Sequence, residues 1–212
     1  FAALVSVFYG STLRNGFVMD DRKVIEENAY VHSLQYLPKV LTGCIWEYTH
    51  GGCAGKTLHY RPVHSLSYLL TWQISSSPWF FHLVNLLYFL AIGTLVFTLA
   101  RLLTKNFLFA FFSAIIFLIH PINSEVVNWV SAVSELTFVL FALLALVFYV
   151  RSRSHMSGKR DTDLFFAILF YFFAMLSKEV AVFIIPPLLV ALDLLILRLP
   201  VKKLVLFKEI KR

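Results

Sequence analysis

The feature that most constrains the fold is a series of long apolar runs separated by short polar stretches. The runs cover 79–103, 107–119, 126–150, 164–176 and 180–197. About 20 apolar residues in a helix cross the roughly 30 Å hydrocarbon core of a bilayer. Within such a run only a helix satisfies its own backbone hydrogen bonds. The chain is therefore predicted to be all-α, a polytopic bundle of transmembrane helices.

Composition supports lipid rather than water around these helices. Of the 212 residues, 59% are hydrophobic and only 15% are charged, more apolar side chain than a soluble domain of this size can bury. The opening run 1–13 is too short to cross and has neither the basic start nor the cleavage site of a signal peptide. We interpret it as the second half of a first span, which makes about six spans in a chain truncated at both ends.

The positions of the basic residues predict the orientation. The net charge is +7, and the cations gather in alternate connections between the apolar runs, which by the positive-inside rule face the cytoplasm. They do not form a stripe among stacking aromatics, so no nucleic-acid partner is indicated. The cations are Arg101, Lys105, Arg151, Arg153, Lys159, Arg160, Arg198, Lys202, Lys203, Lys208, Lys211 and Arg212.

This orientation divides a single membrane-embedded domain, 1–212, into three parts. The long first outer loop, 14–78, carries interfacial helices on the non-cytoplasmic side, the transmembrane helices occupy 79–197, and 198–212 is a cytoplasmic basic segment. The connections at 120–125 and 177–179 join the outer loop on the non-cytoplasmic side. Because the spans that precede them are short, we expect a cavity there.

The only two cysteines, Cys44 and Cys53, both lie in the outer loop. Outside the cytoplasm they could form a disulfide. Free thiols and a zinc site with His50, His59 and His64 are the alternatives. Because the spacing matches no zinc signature, we predict no metal ligand set, and a need for a divalent metal is left open.

An acidic pair, Asp20-Asp21, is the sharpest candidate for chemistry. Adjacent carboxylates near a membrane surface resist ionising together, so one can serve as a base or ligand while the other keeps a proton. The alternative is that the pair begins an interfacial helix and is neutralised by Arg22 and Lys23.

Three further clusters converge from separate loops on the side of the acidic pair. They are His59-Tyr-Arg61-Pro-Val-His64, His120-Pro-Ile-Asn-Ser-Glu125 and Ser177-Lys178-Glu179. An arginine fork suits a phosphate or carboxylate, and charges so close to hydrocarbon are candidates for function. Together they predict an anionic ligand with a lipid tail.

Four polar residues inside or near the spans are interpreted as structural. His82 and Asn85, one helical turn apart, are expected to hydrogen-bond a neighbouring helix, and Glu135 and Asp193 to find polar helix partners.

Five motifs in order resemble one family. They are Asn15-x-Phe17-Val-x-Asp20-Asp21-x-x-x-Ile25-x-x-Asn28, Tyr60-Arg61-Pro62-x-x-x-Leu66-Ser67, Trp79-Phe-x-His82-Leu-Val-Asn85, His120-Pro121-Ile-Asn-Ser-Glu125 and Ser177-Lys178-Glu179. The chain is similar over nearly its whole length to the transmembrane and tetratricopeptide-repeat-containing O-mannosyltransferases and their bacterial relatives. The resemblance implies a partial type-C glycosyltransferase fold, lacking the later spans and the repeats.

The resemblance implies transfer of a sugar, often mannose, from a polyprenyl-phosphate donor to a hydroxyl of a protein or glycan, with inversion. Asp20 or Asp21 would deprotonate that hydroxyl. Cations would stabilise the leaving phosphate, and the neighbouring polar residues would support the site. The cations are Arg61 and Lys178, with His120 assisting, and the supporting residues are Asn28, His64, Glu125 and Glu179.

The expected location is the bacterial inner membrane or the endoplasmic reticulum membrane, with the site on the periplasmic or luminal face. No cofactor besides the lipid-linked sugar is indicated. A non-catalytic membrane assembly or lipid-binding subunit is the first alternative. A transporter is the second, although Gly93 is the only glycine well inside a complete predicted span, and transporters favour interrupted helices and repeats.

Overall fold

The computed structural model describes residues 1–48, 59–154 and 159–196, and these parts of the chain are helices joined by turns. Cys53, His50 and the basic segment 198–212 lie outside the described residues. The helices are α1 Ala2–Tyr9, α2 Ala29–His32, α3 Leu37–Thr42, α4 Pro62–Ile74, α5 Pro78–Thr104, α6 Phe107–Ile119, α7 Ser124–Asn128, α8 Val133–Ser154, α9 Arg160–Ser177 and α10 Ala181–Ala191.

Two helical stretches in the described part of the chain, Pro78–Thr104 and Val130–Arg153, are long and apolar enough to cross a membrane. A third crossing results if Phe107–Ile119 and Pro121–Asn128, bent by 51°, count as one. The helical class is confirmed, whereas the count of six spans and the type-C fold stay predictions.

Helix ends follow local rules at the turn between α5 and α6. Lys105 ends α5 in the left-handed conformation, with φ of 58°, and its N–H donates to the Arg101 carbonyl. The Asn106 side chain then accepts from the Phe109 N–H at 3.1 Å and caps α6. The two apolar helices are thereby folded back on each other.

Neighbouring helices form the bundle: α5 packs antiparallel to α6 and parallel to α8, and α8 packs antiparallel to α9. The starts of α5 and α8 therefore lie with the ends of α6 and α9, which we name the loop end. The opposite end, with Arg101, Arg151 and Arg153, is the basic end. A buried group including Tyr9, Phe89, Leu118 and Val127 joins α1, α5, α6 and α7.

The first loop is folded onto the loop end rather than extended into solvent. Buried Phe17, Ile25 and Val31 pack with Tyr68 of α4 and Phe81 of α5. The rings of Phe17 and Phe81 meet edge to face at 5.3 Å. Apolar burial thus fixes the segment that carries the acidic pair.

One predicted boundary is wrong. The apolar run at 126–150 is not one helix, because α7 ends at Asn128 and Trp129 is extended, with φ of −97° and ψ of 119°. A short 3-10 turn, Val130–Ala132, then leads into α8. Side chains from other elements bind the backbone at this break, as described below.

The contact between α5 and α6 depends on Gly93. A Cβ there would lie 2.5 Å from Cδ2 and 2.8 Å from Cγ of Leu118, which is buried in α6.

Gly93→Ala is expected to lower the free energy of unfolding by about 1–3 kcal/mol through overpacking. Thermal unfolding in detergent measures the effect. In a Leu118→Ala background the same change should cost little, and an equal cost in both backgrounds would contradict the close contact.

Candidate functional site

The two members of the acidic pair have opposite environments. Asp21 is fully buried, whereas Asp20 is exposed. Oδ1 of Asp21 accepts hydrogen bonds from the Ser131 N–H at 2.8 Å and from the Ser131 hydroxyl. Oδ2 accepts from the Val18 N–H at 3.1 Å. Among the described residues none hydrogen-bonds to the Asp20 carboxylate, so Asp20 is the member that a solute can reach.

A tight turn presents Asp20. The Asp21 N–H donates to the Val18 carbonyl at 2.9 Å, and Met19 between them has φ of 48°. That region is sparsely populated by residues other than glycine, and such conformations persist where their surroundings hold them. Here Asp21 holds both sides of the turn, so its carboxylate fixes the backbone that projects Asp20.

The backbone that anchors Asp21 is itself held from two other helices. Asn85 of α5 donates from Nδ2 to the Trp129 carbonyl at 3.1 Å, and the Tyr68 hydroxyl of α4 donates to the Val130 carbonyl at 3.2 Å. Buried carbonyls need such partners. The predicted structural role of Asn85 is confirmed. That of His82 is confirmed as well, because its Nδ1 lies 3.2 Å from the Thr12 hydroxyl.

A bidentate ion pair joins Arg61, just before α4, to Glu179 in the turn between α9 and α10. Arg61 Nε donates to Oε2 at 2.9 Å and Nη2 donates to Oε1 at 2.6 Å. His59 Nδ1 lies 3.3 Å from the same Oε1. The Arg61 hydrogen bonds lower the pKa of Glu179 to about 2, so the carboxylate is ionised at neutral pH.

A second ion pair lies beside the first. Lys178 Nζ donates to Oε1 of Glu135 at 2.7 Å, and the Ser134 hydroxyl donates to Oε2 at 2.7 Å. The prediction that Glu135 finds a polar partner is confirmed. Because Lys178 and Glu179 are consecutive, both cations predicted to bind phosphate converge on one turn, each already paired with a carboxylate.

The acidic pair and the two ion pairs are neighbours at the start of α8. Ser131, in the 3-10 turn before α8, contacts Asp21, and Glu135, four residues later in the first turn of α8, contacts Lys178. About one helical turn separates the two contacts. The structure therefore brings together Asp21, Arg61 and Lys178, three of the residues predicted from separate motifs.

His64 and Tyr68 of α4 fill the space between these groups. Both are buried, and their rings meet at 4.5 Å. Burial, with the nearby charge of Arg61, lowers the pKa of His64 to about 3, and its Nδ1 lacks a hydrogen-bond partner among the described residues. His64 is thus a neutral packing residue that supports the site from behind.

Asn28 supports the first loop through its backbone. Its Oδ1 accepts from the Tyr30 N–H at 3.0 Å, and its Nδ2 donates to the Val24 carbonyl at 3.3 Å. This is the capping arrangement that starts a helix, here α2. Asn28 therefore shapes the loop behind the acidic pair.

His120 and Glu125 are placed apart from the paired cations. His120 is exposed, and its Nδ1 accepts from the Ile122 N–H at 3.2 Å to cap the turn before α7. Glu125 is exposed in the first turn of α7. The described contacts of both residues are local, so their roles beside the cations stay predictions.

Sequence reasoning missed Ser131, Tyr68 and Tyr48. Tyr48 lies near Asp20 of the acidic pair. Burial, together with the nearby charges of Glu27 and Asp20, raises the pKa of Tyr48 to about 12. Tyr68 could have been found, since it follows His64 by four residues on one helix face. Ser131 carries no signal in an apolar run.

The described residues hold no group of three or more His, Cys, Asp or Glu side chains placed to bind a metal ion. The pairing of Cys44 with Cys53 stays a prediction, because Cys53 lies outside the described residues.

Replacing the two aspartates by alanine should separate their roles. Asp21→Ala leaves the partly buried N–H groups that Asp21 accepts from, those of Ser131 and Val18, without their acceptor, a loss of about 1–3 kcal/mol in the free energy of unfolding. Asp20→Ala should leave stability nearly unchanged because the side chain is exposed. Thermal unfolding followed by tryptophan fluorescence measures both. Equal losses in the two variants would show that the assignment of burial is wrong.

His64 predicts a pH dependence of stability. Because its pKa is about 3 in the folded chain and about 6.5 when unfolded, the unfolded state binds more protons between these values. Stability therefore falls as the pH falls, by about 2 kcal/mol from pH 7 to pH 5 for this residue. His64→Asn should lose less stability than the native protein over that interval. Glu179 does not interfere, because its contribution is lost only below about pH 4.5. Parallel stability curves for the two proteins would refute the assignment.

No family model matches the chain, and no solved structure matches it. Three similar proteins are named as protein O-mannosyl-transferases. Tmtc1 of Drosophila melanogaster is 31% identical over 182 residues, which is 85% of this chain and 21% of that protein. Tmtc2 of the same species is 32% identical over 165 residues, 76% of this chain and 17% of that protein. TMTC1 of Homo sapiens is 32% identical over 186 residues, 82% of this chain and 21% of that protein.

The chain spans about a fifth of the length of these curated relatives. The similarity nevertheless runs through most of this chain. The family predicted from the motifs is confirmed: over most of its length the chain is homologous to the transmembrane and tetratricopeptide-repeat-containing protein O-mannosyltransferases.

Proposed function

We propose that this chain is the membrane-embedded catalytic part of a mannosyltransferase, which moves the sugar from a polyprenyl-phosphate donor to an acceptor hydroxyl. The observation that carries the proposal is the division of the acidic pair. Asp21 is committed to three hydrogen bonds, and Asp20, its neighbour on the same turn, is left exposed. The names of the relatives supply the sugar and indicate a protein as acceptor; a glycan hydroxyl would meet the same chemistry.

In this proposal Asp20 acts as the general base. It takes the proton of the acceptor hydroxyl as the oxygen attacks the anomeric carbon, and the bond from that carbon to the phosphate oxygen breaks. A single displacement from the opposite face inverts the configuration. Positioned acids and bases contribute about 10²–10⁴-fold to such steps. Asp21 is a positioning residue that acts through the turn at Met19.

The leaving group is a phosphate, on which negative charge grows as the bond breaks. Arg61 and Lys178 supply cations at the loop end, held in place before the reaction begins, and preorganised charge of this kind lowers the barrier. Lys178 is oriented by Glu135, which Ser134 fixes in turn. His120 would assist and Glu125 would orient it, as the family resemblance implies.

The donor explains why the site lies at the end of apolar helices. A polyprenyl tail stays in the hydrocarbon layer while its phosphate reaches the loop end, where Arg61 lies. The alternation of basic connections favours the periplasmic or luminal face for this end. The membrane lipid is thus a partner of the site as well as its solvent.

The decisive measurement is transfer of labelled mannose from polyprenyl-phosphate mannose in membranes that contain the full-length protein. Asp20→Asn should lower the rate by about 10²–10⁴-fold while the amount of folded protein is unchanged. Asp21→Asn should lower both, because an amide N–H would face the donor N–H groups around it.

Glu26→Gln, an exposed acid of the same loop, is the matched control and should retain activity. Undiminished transfer by the Asp20→Asn variant would refute Asp20 as the base. Donor binding without transfer by the native protein would instead favour a non-catalytic lipid-binding subunit.

A further inference from the structure

Two nitrogens of Arg61 are directed at one anion. Its Nε and Nη2 bind the two carboxylate oxygens of Glu179, and His59 approaches one of those oxygens at 3.3 Å. A guanidinium fork offers a phosphate the same two parallel hydrogen bonds that it offers a carboxylate. An arginine meant for the donor phosphate is therefore occupied by another anion that accepts through two oxygens.

The two carboxylates at the site differ in how firmly they are held. Glu135 lies on the first turn of α8, and its second oxygen accepts from the Ser134 hydroxyl. Glu179 lies in a short turn, its side chain is 56% exposed, and Arg61 and His59 are its described partners. Glu179 can turn into water without becoming a buried charge, whereas Glu135 would have to give up a second hydrogen bond.

We propose that Glu179 is an internal stand-in for the phosphate of the donor: it holds Arg61 extended while the site is empty and leaves when a phosphate arrives. Glu135 stays on Lys178 throughout and is a positioning residue. The inference rests on the proposed function, since it takes Arg61 to be the phosphate ligand. It adds a competitor for that ligand and a moving part, the side chain of Glu179.

The energetics permit such an exchange. The Glu179 side chain is 56% exposed and that of Arg61 is 15% exposed, so opening the pair returns the carboxylate to water at little cost when Arg61 gains a phosphate in exchange. The donor phosphate is a diester with a single negative charge and two non-bridging oxygens, which match the fork as the carboxylate does. As the bond to the sugar breaks, the phosphate becomes a monoester with about −1.5 to −2 charges and three acceptor oxygens, which outcompetes a single carboxylate. Released Glu179 would also be repelled by the new anion, which favours its movement away from the site.

Equilibrium binding of a short-chain polyprenyl phosphate to the full-length protein in detergent tests the inference. Glu179→Gln removes the competitor and should tighten the Kd about two- to fivefold. Arg61→Gln should weaken binding. Adding Glu179→Gln to that variant should not change the Kd further, because there is no arginine left for the carboxylate and the phosphate to compete for. Glu135→Gln should weaken binding by releasing Lys178, and Glu26→Gln is the control that should not alter it.

A Kd that is unchanged or weaker in Glu179→Gln would overturn the inference, because a residue that only orients Arg61 cannot compete with the ligand. Fluorescence-detected unfolding of each variant excludes misfolding as the cause. The mannose-transfer assay separates the two proposals. If the native protein transfers mannose and the Kd of Glu179→Gln is not lowered, only the stand-in proposal is refuted. If the Kd is lowered and the native protein transfers no mannose, the catalytic proposal is refuted and the stand-in proposal is supported.

Discussion

The backbone break at Trp129 is the constraint on which the rest of the loop end depends. An extended residue between α7 and α8 leaves carbonyl and N–H groups that α-helical bonds would otherwise satisfy. Asn85, Tyr68 and Asp21 satisfy them from three different elements. Each of these side chains thereby fixes its own element against the start of α8, so a single local irregularity positions α4, α5 and the first loop together.

The helix α8 transmits this placement to charges at both of its ends. Near its start Glu135 binds Lys178, and near its end Arg153 binds Asp193 at 2.7 Å, with the Tyr149 hydroxyl donating to the same carboxylate at 2.6 Å. The predicted polar partner of Asp193 is thus found. These two ion pairs tie the chain after α9 and the chain after α10 to opposite ends of α8. The turn that carries Glu179 therefore cannot shift along the bundle axis without breaking one of the two ion pairs.

Sequence patterns predict the helices, because hydrophobic periodicity is local. They do not predict the contacts that depend on residues distant in the chain. The runs at 79–103 and 107–119 correspond closely to α5 and α6, since hydropathy and the caps at their ends are local. The break at Trp129 could not be predicted, because no glycine or proline interrupts 126–150 and the hydrogen-bond donors at the break lie 44 and 62 residues away. Asp20 and Asp21 are alike in sequence, and the burial of Asp21 depends on Ser131, which lies 110 residues away. The Arg61 and Glu179 pair spans 118 residues.

Pairing also explains how two cations persist at the edge of an apolar bundle. A lone charge near hydrocarbon is costly, and such residues pair with one another or face polar cavities. Removing one partner of a buried pair costs more than the pair contributes, because the other charge is left uncompensated. Carboxylates beside Arg61 and Lys178 therefore solve a problem of the empty site. The family resemblance implies Glu179 as a supporting residue and does not name Glu135. Because both cations are paired, an anionic ligand enters a site without net charge on these pairs. It must displace one of the carboxylates to bind a cation. An exposed carboxylate on a turn is the cheapest one to exchange.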